Sequence, residues 1–301
     1  MKDLILHGML AHQTIRFSAI AGQALVTEAQ RIHTLSRVAT AALGRQLLMT
    51  SMIASQLKNT TDTVTTVLAG NGPAGNLVCV GRYGGLVKGY ATEPDVELPL
   101  RQDGKLDVGG YIGHTGKLTV IRDLGLKEPY VGMCNLISGE VAEDFAEFFT
   151  ASEQQPSLVY LGVREQAETG TVIGAGGLLI QPMPGCPDSE ISRVEAIASE
   201  IPKLTKMLSE GTDLEAAVME LLGTLELEIT ERVDPAFACD CSRDRLERAL
   251  LSIGEEELKD ILAKEGEAEL TCQFCLKKYH FDRTDLTDLL RAAKSEEPDG
   301  E

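Results

Sequence analysis

The chain has 301 residues, of which 43% are hydrophobic, and a formal net charge of −18 at pH 7. This apolar content predicts a packed core and excludes a globally disordered protein. The acidic charge argues against a nucleic-acid partner, because the phosphate backbone would repel such a chain.

The N-terminus and the apolar runs of the sequence indicate the cellular compartment of the protein. No run reaches the roughly 18 residues that a membrane helix needs, and polar residues interrupt the longest candidate, 47–57. The opening residues, MKDLILHGML, carry both a lysine and an aspartate, and no small-residue cleavage site follows them. We therefore expect a cytoplasmic protein without a signal peptide or membrane partner, whose thiols stay reduced.

Residues 1–183 alternate short apolar runs with Gly, Pro and Asn, a pattern typical of antiparallel strands. The predicted strands are 64–69, 77–81, 86–92, 118–122, 131–137, 158–163 and 172–180. Two helices are predicted among them, one over 35–57 from its apolar spacing and one over 140–151 with Ser138 as N-cap. These elements predict an α+β domain with a largely antiparallel sheet.

Residues 184–232 follow a proline-rich break and are predicted to form a helical linker. Pro202 is expected to kink this stretch or to begin a second helix. Thr212 and Glu215 match a capping box for a helix that Gly223 can end, and a half-buried strand is predicted over 225–230. Apolar residues recur at helical spacing at Ile191, Val194, Ile197, Ile201, Leu204, Met207 and Leu208. Because isolated short helices are marginal in water, these should pack on the first domain.

Residues 233–290 are predicted to form a small third domain. Helices are expected over 243–251 and 255–263, followed by a hairpin at 272–275 and a last helix after Asp282. The acidic tail, 291–301, is predicted to be disordered.

Four of the seven cysteines lie in this small domain, as Cys239-Asp-Cys241 and Cys272-Gln-Phe-Cys275, with 30 residues between the two pairs. Two close pairs of thiolates are typical of a closed tetrahedral zinc site. A segment of about 60 residues has a small core, so a bound Zn²⁺ should supply much of its folding energy. The sequence therefore predicts Cys239, Cys241, Cys272 and Cys275 as zinc ligands.

The spacing leaves the role of this site open. A static structural zinc is the usual role of four thiolates, but a disulfide within a CxC pair would be strained and easily reduced. Nearby basic residues could keep released thiols ionised: Arg243, Arg245, Lys277 and Lys278. A nucleic-acid zinc ribbon is disfavoured, because residues 232–290 carry 9 Lys/Arg against 14 Asp/Glu. A thiol-disulfide oxidoreductase is disfavoured because its CxxC should open a helix, whereas this one lies in a predicted hairpin.

The CxC and CxxC pairs, behind a helical linker and an α+β domain, resemble the redox-regulated heat-shock holdase chaperones, the thirty-three-kilodalton heat-shock protein family. Further segments similar to that family's N-terminal domain are 41–45 (AALGR), 109–113 (GGYIG), 123–130, 138–144 and 181–185. The resemblance implies a non-enzymatic, ATP-independent chaperone, inactive while reduced and zinc-loaded. It also implies that oxidation pairs Cys239 with Cys241 and Cys272 with Cys275, releases zinc and favours a homodimer that binds unfolded client proteins.

The chemistry of the four cysteines is consistent with such a switch. Oxidation removes the thiolates that hold the metal, so the small domain should unfold and the linker beside it should lose support. Exposed apolar area is what a client-binding surface requires. The candidate client-binding residues are Ile191, Val194, Ile197, Leu204 and Leu208.

Overall fold

The computed structural model describes the backbone of residues 2–296 and the side chains of residues 2–291. Its contacts divide the chain into two compact units, Met1–Ala238 and Cys239–Glu301. The sequence placed this division at 233.

The strands, in chain order, are β1 (Leu4–Leu10), β2 (Ile15–Ala21), β3 (Thr63–Gly70), β4 (Asn76–Arg82), β5 (Leu86–Ala91), β6 (Gly116–Asp123), β7 (Tyr130–Asn135), β8 (Leu158–Glu165), β9 (Val172–Pro182), β10 (Glu228–Val233), β11 (Ala236–Phe237), β12 (Ala268–Thr271) and β13 (Lys278–Phe281). The helices are α1 (Gln23–His33), α2 (Arg37–Ala54), α3 (Val108–Ile112), α4 (Ala142–Ala151), α5 (Asp188–Ile197), α6 (Lys203–Ser209), α7 (Leu214–Leu222), α8 (Arg243–Ser252), α9 (Glu255–Lys264) and α10 (Arg283–Glu296).

The first unit contains two sheets. One has the strand order β10-β1-β2-β9-β8, and the other has the order β11-β5-β4-β3-β6-β7. Within these sheets the pairs are antiparallel except for the short parallel pair between β11 and β5. The prediction of an α+β fold with a largely antiparallel sheet is confirmed. Because β10 and β11 pair with strands of this unit, residues 233–238 belong to it.

Helix α2 forms the centre of the first unit. It packs against strands of both sheets, among them β4, β5, β8 and β9. Val38, Leu43, Leu47 and Met52 are fully buried. A helix enclosed from all sides has no need of a polar face, which explains why nearly every residue of α2 is apolar or small.

The three linker helices cover the other face of the first sheet. Their buried apolar side chains form a core with β1, β2 and β9 that is separate from the core around α2. Helix α6 approaches β8 closely because glycine leaves room for it: a Cβ at Gly162 would lie 2.6 Å from Thr205 Cγ2. Tyr160 Oη and Thr205 Oγ1 are hydrogen-bonded at 2.6 Å. The linker therefore packs on the first domain, as its short helices require.

Two helix starts differ from the predictions. Helix α4 begins after Val141, and the carboxylate of Asp144 accepts from the backbone N–H groups of Ile137, Ser138, Gly139 and Val141, a role that the sequence had given to Ser138. An ionised side chain in the first turn is the stronger acceptor for these donors.

Helix α7 is capped by Asp213, which accepts from Ala216 N at 2.9 Å, and not by Thr212. The N-cap therefore lies one residue after the predicted one, and Glu215, the predicted partner in the capping box, pairs with Arg232. The strand predicted over 225–230 begins later in the structure, because Leu225 lies in a 3-10 turn and β10 begins at Glu228.

The second unit contains α8, α9, the β12–β13 hairpin and α10 around a small core of Leu250, Leu258, Tyr279, Phe281, Leu286, Leu289 and Leu290. The disordered tail predicted over 291–301 is wrong for its first part, because α10 continues to Glu296. Thr284 and Asp285 donate their backbone N–H groups to the Asp282 carboxylate, which stabilises the start of this helix. Residues 297–301 lie outside the described residues.

Candidate metal centre

The four predicted cysteines lie together in the second unit. Cys239 and Cys241 belong to the segment before α8, and Cys272 and Cys275 belong to the turn between β12 and β13. In this turn Leu276 N donates to Cys272 O at 2.8 Å and Cys272 N donates to Lys277 O at 3.0 Å. The left-handed backbone of Leu276, with φ of 56°, closes the turn and allows both sulfurs to reach the cluster.

The distances between the sulfurs fit a metal. Cys239 Sγ lies 3.7 Å from Cys272 Sγ, and Cys241 Sγ lies 3.4 Å from Cys275 Sγ. All four Sγ atoms lie within 4.8 Å of one another. A tetrahedron of sulfurs around zinc, with Zn–S of about 2.3 Å, has edges of about 3.8 Å. Both the donor type and the spacing therefore suit Zn²⁺.

Tyr279 on β13 is a neighbour of the site that the sequence analysis missed. Its Oη lies 3.2 Å from Cys241 Sγ and donates to Cys241 O at 3.1 Å. The strand alternation of Tyr279 and Phe281 after the CxxC turn was a signal that could have placed this side chain on the inner face. The hydrogen bond orients the Cys241 segment toward the hairpin.

The thiols of the cluster differ in acidity. Burial raises the pKa of Cys239 and of Cys275. Burial also acts to raise the pKa of Cys241, but hydrogen bonds from Tyr279 and the neighbouring thiols outweigh it and lower this pKa to about 7. The hydrogen bond to Cys241 in turn raises the pKa of Tyr279 to about 12. Four thiolates this close repel one another, so the cluster calls for a cation before all four can ionise.

The basic residues near the cluster are engaged elsewhere. Their partners are carboxylates or rings: Arg243 pairs with Asp285 and lies over Phe281, Arg245 pairs with Asp240, Lys277 lies over Tyr279 and Lys278 pairs with Glu269. These contacts join the four cations to groups other than the sulfurs of the cluster, and their effect on thiols released from a metal stays a prediction. His280 of β13 is exposed, and its Nε2 lies 3.6 Å from Glu267 Oε2.

The remaining cysteines stand apart from this cluster. Cys79 and Cys134 are buried in strands of the first unit, and Cys186 is partly exposed in a loop. Among the residues that the structure describes, the four clustered cysteines are the one group of three or more His, Cys, Asp or Glu side chains close enough to share a metal ion. No helix in the described part of the chain combines the length and apolarity needed to cross a membrane.

The five candidate client-binding residues are covered. Val194, Leu204 and Leu208 are buried under the linker helices, and Ile191 and Ile197 are partly buried beside them. Val194, Ile197, Leu204 and Leu208 pack in the apolar core that the linker helices share with the first sheet. The three buried side chains are thus enclosed while the linker helices lie on the sheet.

A two-sheet α+β unit followed by a small four-thiolate unit is an arrangement shared with known chaperones. A family model described as "Hsp33 protein" matches residues 3–282, and the chain belongs to this family of chaperones. The chain is 41% identical to a 33 kDa chaperonin of Thermoanaerobacter sp. (strain X514) over 294 residues, which are 98% of this chain and all of that protein. It is 40% identical to a 33 kDa chaperonin of Geobacillus kaustophilus over 296 residues, 98% of this chain and all of that one.

A solved structure is similar throughout. The crystal structure of a 33 kDa chaperonin from Thermotoga maritima superposes with a TM-score of 0.87 at 33% identity. The match covers 98% of this chain and 100% of that chain. The resemblance inferred from the cysteine spacing is thereby confirmed.

Proposed function

We propose that this chaperone is a redox-regulated, ATP-independent holdase of the cytoplasm that binds unfolding proteins and prevents their aggregation. It is not an enzyme; it is inactive while Cys239, Cys241, Cys272 and Cys275 hold Zn²⁺. The observation that carries the proposal is the convergence of the four Sγ atoms within 4.8 Å. Thiolates are at once the ligands that zinc prefers and the groups that oxidants attack.

Zinc, when bound, neutralises the thiolates and joins the CxC segment to the hairpin. Each disulfide consumes one peroxide. One thiol sulfur is oxidised to a sulfenic acid with release of one water, and a second thiol sulfur then displaces another water to form the S–S bond. Two such steps convert all four thiols into the proposed disulfides Cys239–Cys241 and Cys272–Cys275. Disulfide sulfurs no longer serve as thiolate ligands, so the metal is released.

Loss of the metal should unfold the second unit. The buried apolar residues of its core are few, and domains of about 60 residues are marginal without a metal or a disulfide framework. The chain that leads into Cys239 is attached to the first unit through β10 and β11, and Ala238 N donates to Val87 O at 2.8 Å. An unfolded second unit would therefore leave only these short strands to restrain the end of the linker.

The linker helices, however, are held by the first sheet. Val194, Leu204 and Leu208 are buried there, and burial of each such side chain contributes about 1.5–3 kcal/mol. Oxidation does not touch these contacts, so we infer that heat must act together with oxidation to release the linker. The released helices would expose Ile191, Val194, Ile197, Leu204 and Leu208 to clients, and the same apolar area would favour a homodimer.

The position of CxxC argues against a thiol-disulfide oxidoreductase. Cys272 and Cys275 lie in a hairpin turn, whereas a helix N-terminus is what lowers the pKa of the attacking thiol in that class of enzyme. A purely structural zinc module is the other alternative, and it predicts that oxidation only destroys function.

The test compares zinc release with chaperone activity. The reduced, zinc-loaded protein is treated with peroxide at growth temperature and at heat-shock temperature, without ATP. Zinc is followed with a chromophoric chelator, and aggregation of a heat-denatured client protein is followed by light scattering. We expect zinc release with oxidation, and suppression of aggregation once heat is added. Zinc release without any gain in suppression would contradict the proposal.

Two further measurements sharpen this test. Cys272→Ser should lose zinc without peroxide, whereas the matched control Cys186→Ser, outside the cluster, should behave as the wild type. Peptide mapping of the oxidised protein should find Cys239–Cys241 and Cys272–Cys275. The competing result is Cys239–Cys272 with Cys241–Cys275, because these sulfurs are already in contact in the reduced cluster.

A further inference from the structure

Strand β7 forms an unguarded edge of the second sheet. It is the last strand in the order β11-β5-β4-β3-β6-β7, and its sequence, YVGMCN, has no charged residue and no proline. It pairs with β6 from Arg122–Tyr130 to Lys117–Asn135 without a bulge. Natural proteins usually protect an edge strand with charges, proline, bulges or a covering element, because its free backbone groups can pair with another strand.

In β7, every second residue directs its backbone N–H and C=O groups away from the sheet. Leu136 N donates to Gly116 O at 3.0 Å, so the even-numbered residues bond to β6 in this antiparallel ladder. The N–H and C=O groups of Val131, Met133 and Asn135 then point away from the sheet. Among residues 2–296, the hydrogen bonds found give these outward backbone groups no partner. Their side chains are exposed as well, 48% for Val131 and 51% for Met133.

Exposed large apolar side chains are concentrated in this stretch of the chain. Half of the exposed large apolar side chains of the described chain fall within residues 124–137: Leu124, Leu126, Tyr130, Val131, Met133 and Ile137. On the other face, Gly132 and Cys134 are buried, and Gly132 faces Phe148 of α4. A rigid backing, open hydrogen-bonding groups and apolar outward side chains are the features that accept an added strand.

We propose that the β7 edge binds an extended segment of an unfolding client as an additional strand of the sheet. This inference rests on the holdase function proposed above and supplies that function with a second contact surface. Main-chain hydrogen bonds from Val131, Met133 and Asn135 recognise any extended segment regardless of its sequence. The flexible thioether of Met133 adapts to different apolar side chains.

A second copy of this chain fits the edge less well. Stable protein interfaces engage about 20–30 residues a side, whereas β7 offers six. Each copy also carries a net charge of −18, so two copies brought together along so small a contact repel each other. A short, sequence-tolerant contact is instead suited to a client segment that must later be released.

The test uses the oxidised, full-length protein and reduced, alkylated α-lactalbumin as a permanently unfolded probe. Met133→Pro removes an outward N–H donor without touching a bond to β6, because proline is tolerated where an edge N–H faces solvent. Met133→Lys keeps the outward N–H donor and adds a charge of the kind that protects edge strands from pairing. Leu100→Lys, at a loop residue that is 53% exposed, is the matched control.

We expect both Met133 variants to bind the probe about tenfold more weakly than the wild type, which corresponds to about 1.4 kcal/mol, and the control to be unchanged. Hydrogen exchange at the amides of Val131, Met133 and Asn135 should slow when the probe is bound to the wild type.

Wild-type affinity in both variants, or unchanged exchange at these amides, would overturn the proposal while the holdase function stands. If wild-type protein fails to bind the probe at all, the holdase function fails, and the edge proposal fails with it. If Met133→Lys dissociates a dimer but leaves probe affinity intact, the edge joins two copies of this chain, and the proposal is wrong.

Discussion

The contact between α6 and β8 offers a test of how the linker is released. Gly162→Ala would place a Cβ 2.6 Å from Thr205 Cγ2 and 2.7 Å from Tyr160 Oη, so α6 must move outward and its hydrogen bond to Tyr160 must weaken. Overpacking of this kind costs about 1–3 kcal/mol. Because the clash with Thr205 exists only while the linker is docked, the population with a free linker should rise about 5- to 150-fold.

The assay measures how much heat the oxidised protein needs before it suppresses aggregation of a client. We expect Gly162→Ala to act at a lower temperature than the wild type. Gly81→Ala is the matched control: it is also a strand glycine, its Cβ would approach Ala54 Cβ to 2.6 Å, and no linker atom is among its near neighbours. If both variants need the same heat, docking of α6 does not limit activation, and the reasoning from the linker is refuted.

Two other residues give independent predictions. Tyr279→Phe removes the hydrogen bond to Cys241 Sγ and should weaken zinc binding about tenfold, as measured by competition with a chromophoric chelator; an unchanged affinity would mean that Tyr279 does not orient the ligand. Burial raises the pKa of Glu165 from 4.5 to about 7 despite Arg37 at 3.2 Å. As pH rises from 4.5 to 7, the unfolded chain loses the proton of Glu165 and the folded chain keeps it. This group therefore makes the free energy of unfolding fall over that pH range. Glu165→Gln should flatten this fall relative to the wild type in denaturant unfolding of the reduced protein at several pH values, and parallel curves would contradict the assignment.

Local signals in the sequence were enough for many elements. The seven predicted strands correspond to β3 to β9, because each is a short apolar run bounded by Gly, Pro or Asn. The hairpin of β1 and β2 was missed for the opposite reason. Its turn, formed by Ala11, His12 and Gln13, has three successive left-handed residues with φ of 49°, 54° and 67° and contains no glycine, proline or asparagine. None of its residues is of a type that predicts a turn.

Helix capping shows a similar limit. Several acceptors near a helix start can satisfy its free N–H groups, and the sequence pointed to Ser138 and Thr212. The structure uses the carboxylates of Asp144 and Asp213. The choice depends on where the chain enters the helix, and tertiary contacts determine that entry.

The sequence by itself determined the chemistry of this protein. Metal ligation depends on residue type and local spacing, so Cys239, Cys241, Cys272 and Cys275 could be assigned to one cluster before any coordinates. The order of the strands and the faces that the linker covers were decided only by the tertiary structure. Strand pairing and helix packing join residues far apart in the chain, and no local pattern reports them. This is why Leu204 proved to be buried on the first sheet, Tyr279 proved to contact Cys241, and Val131 and Met133 proved to lie on an open edge.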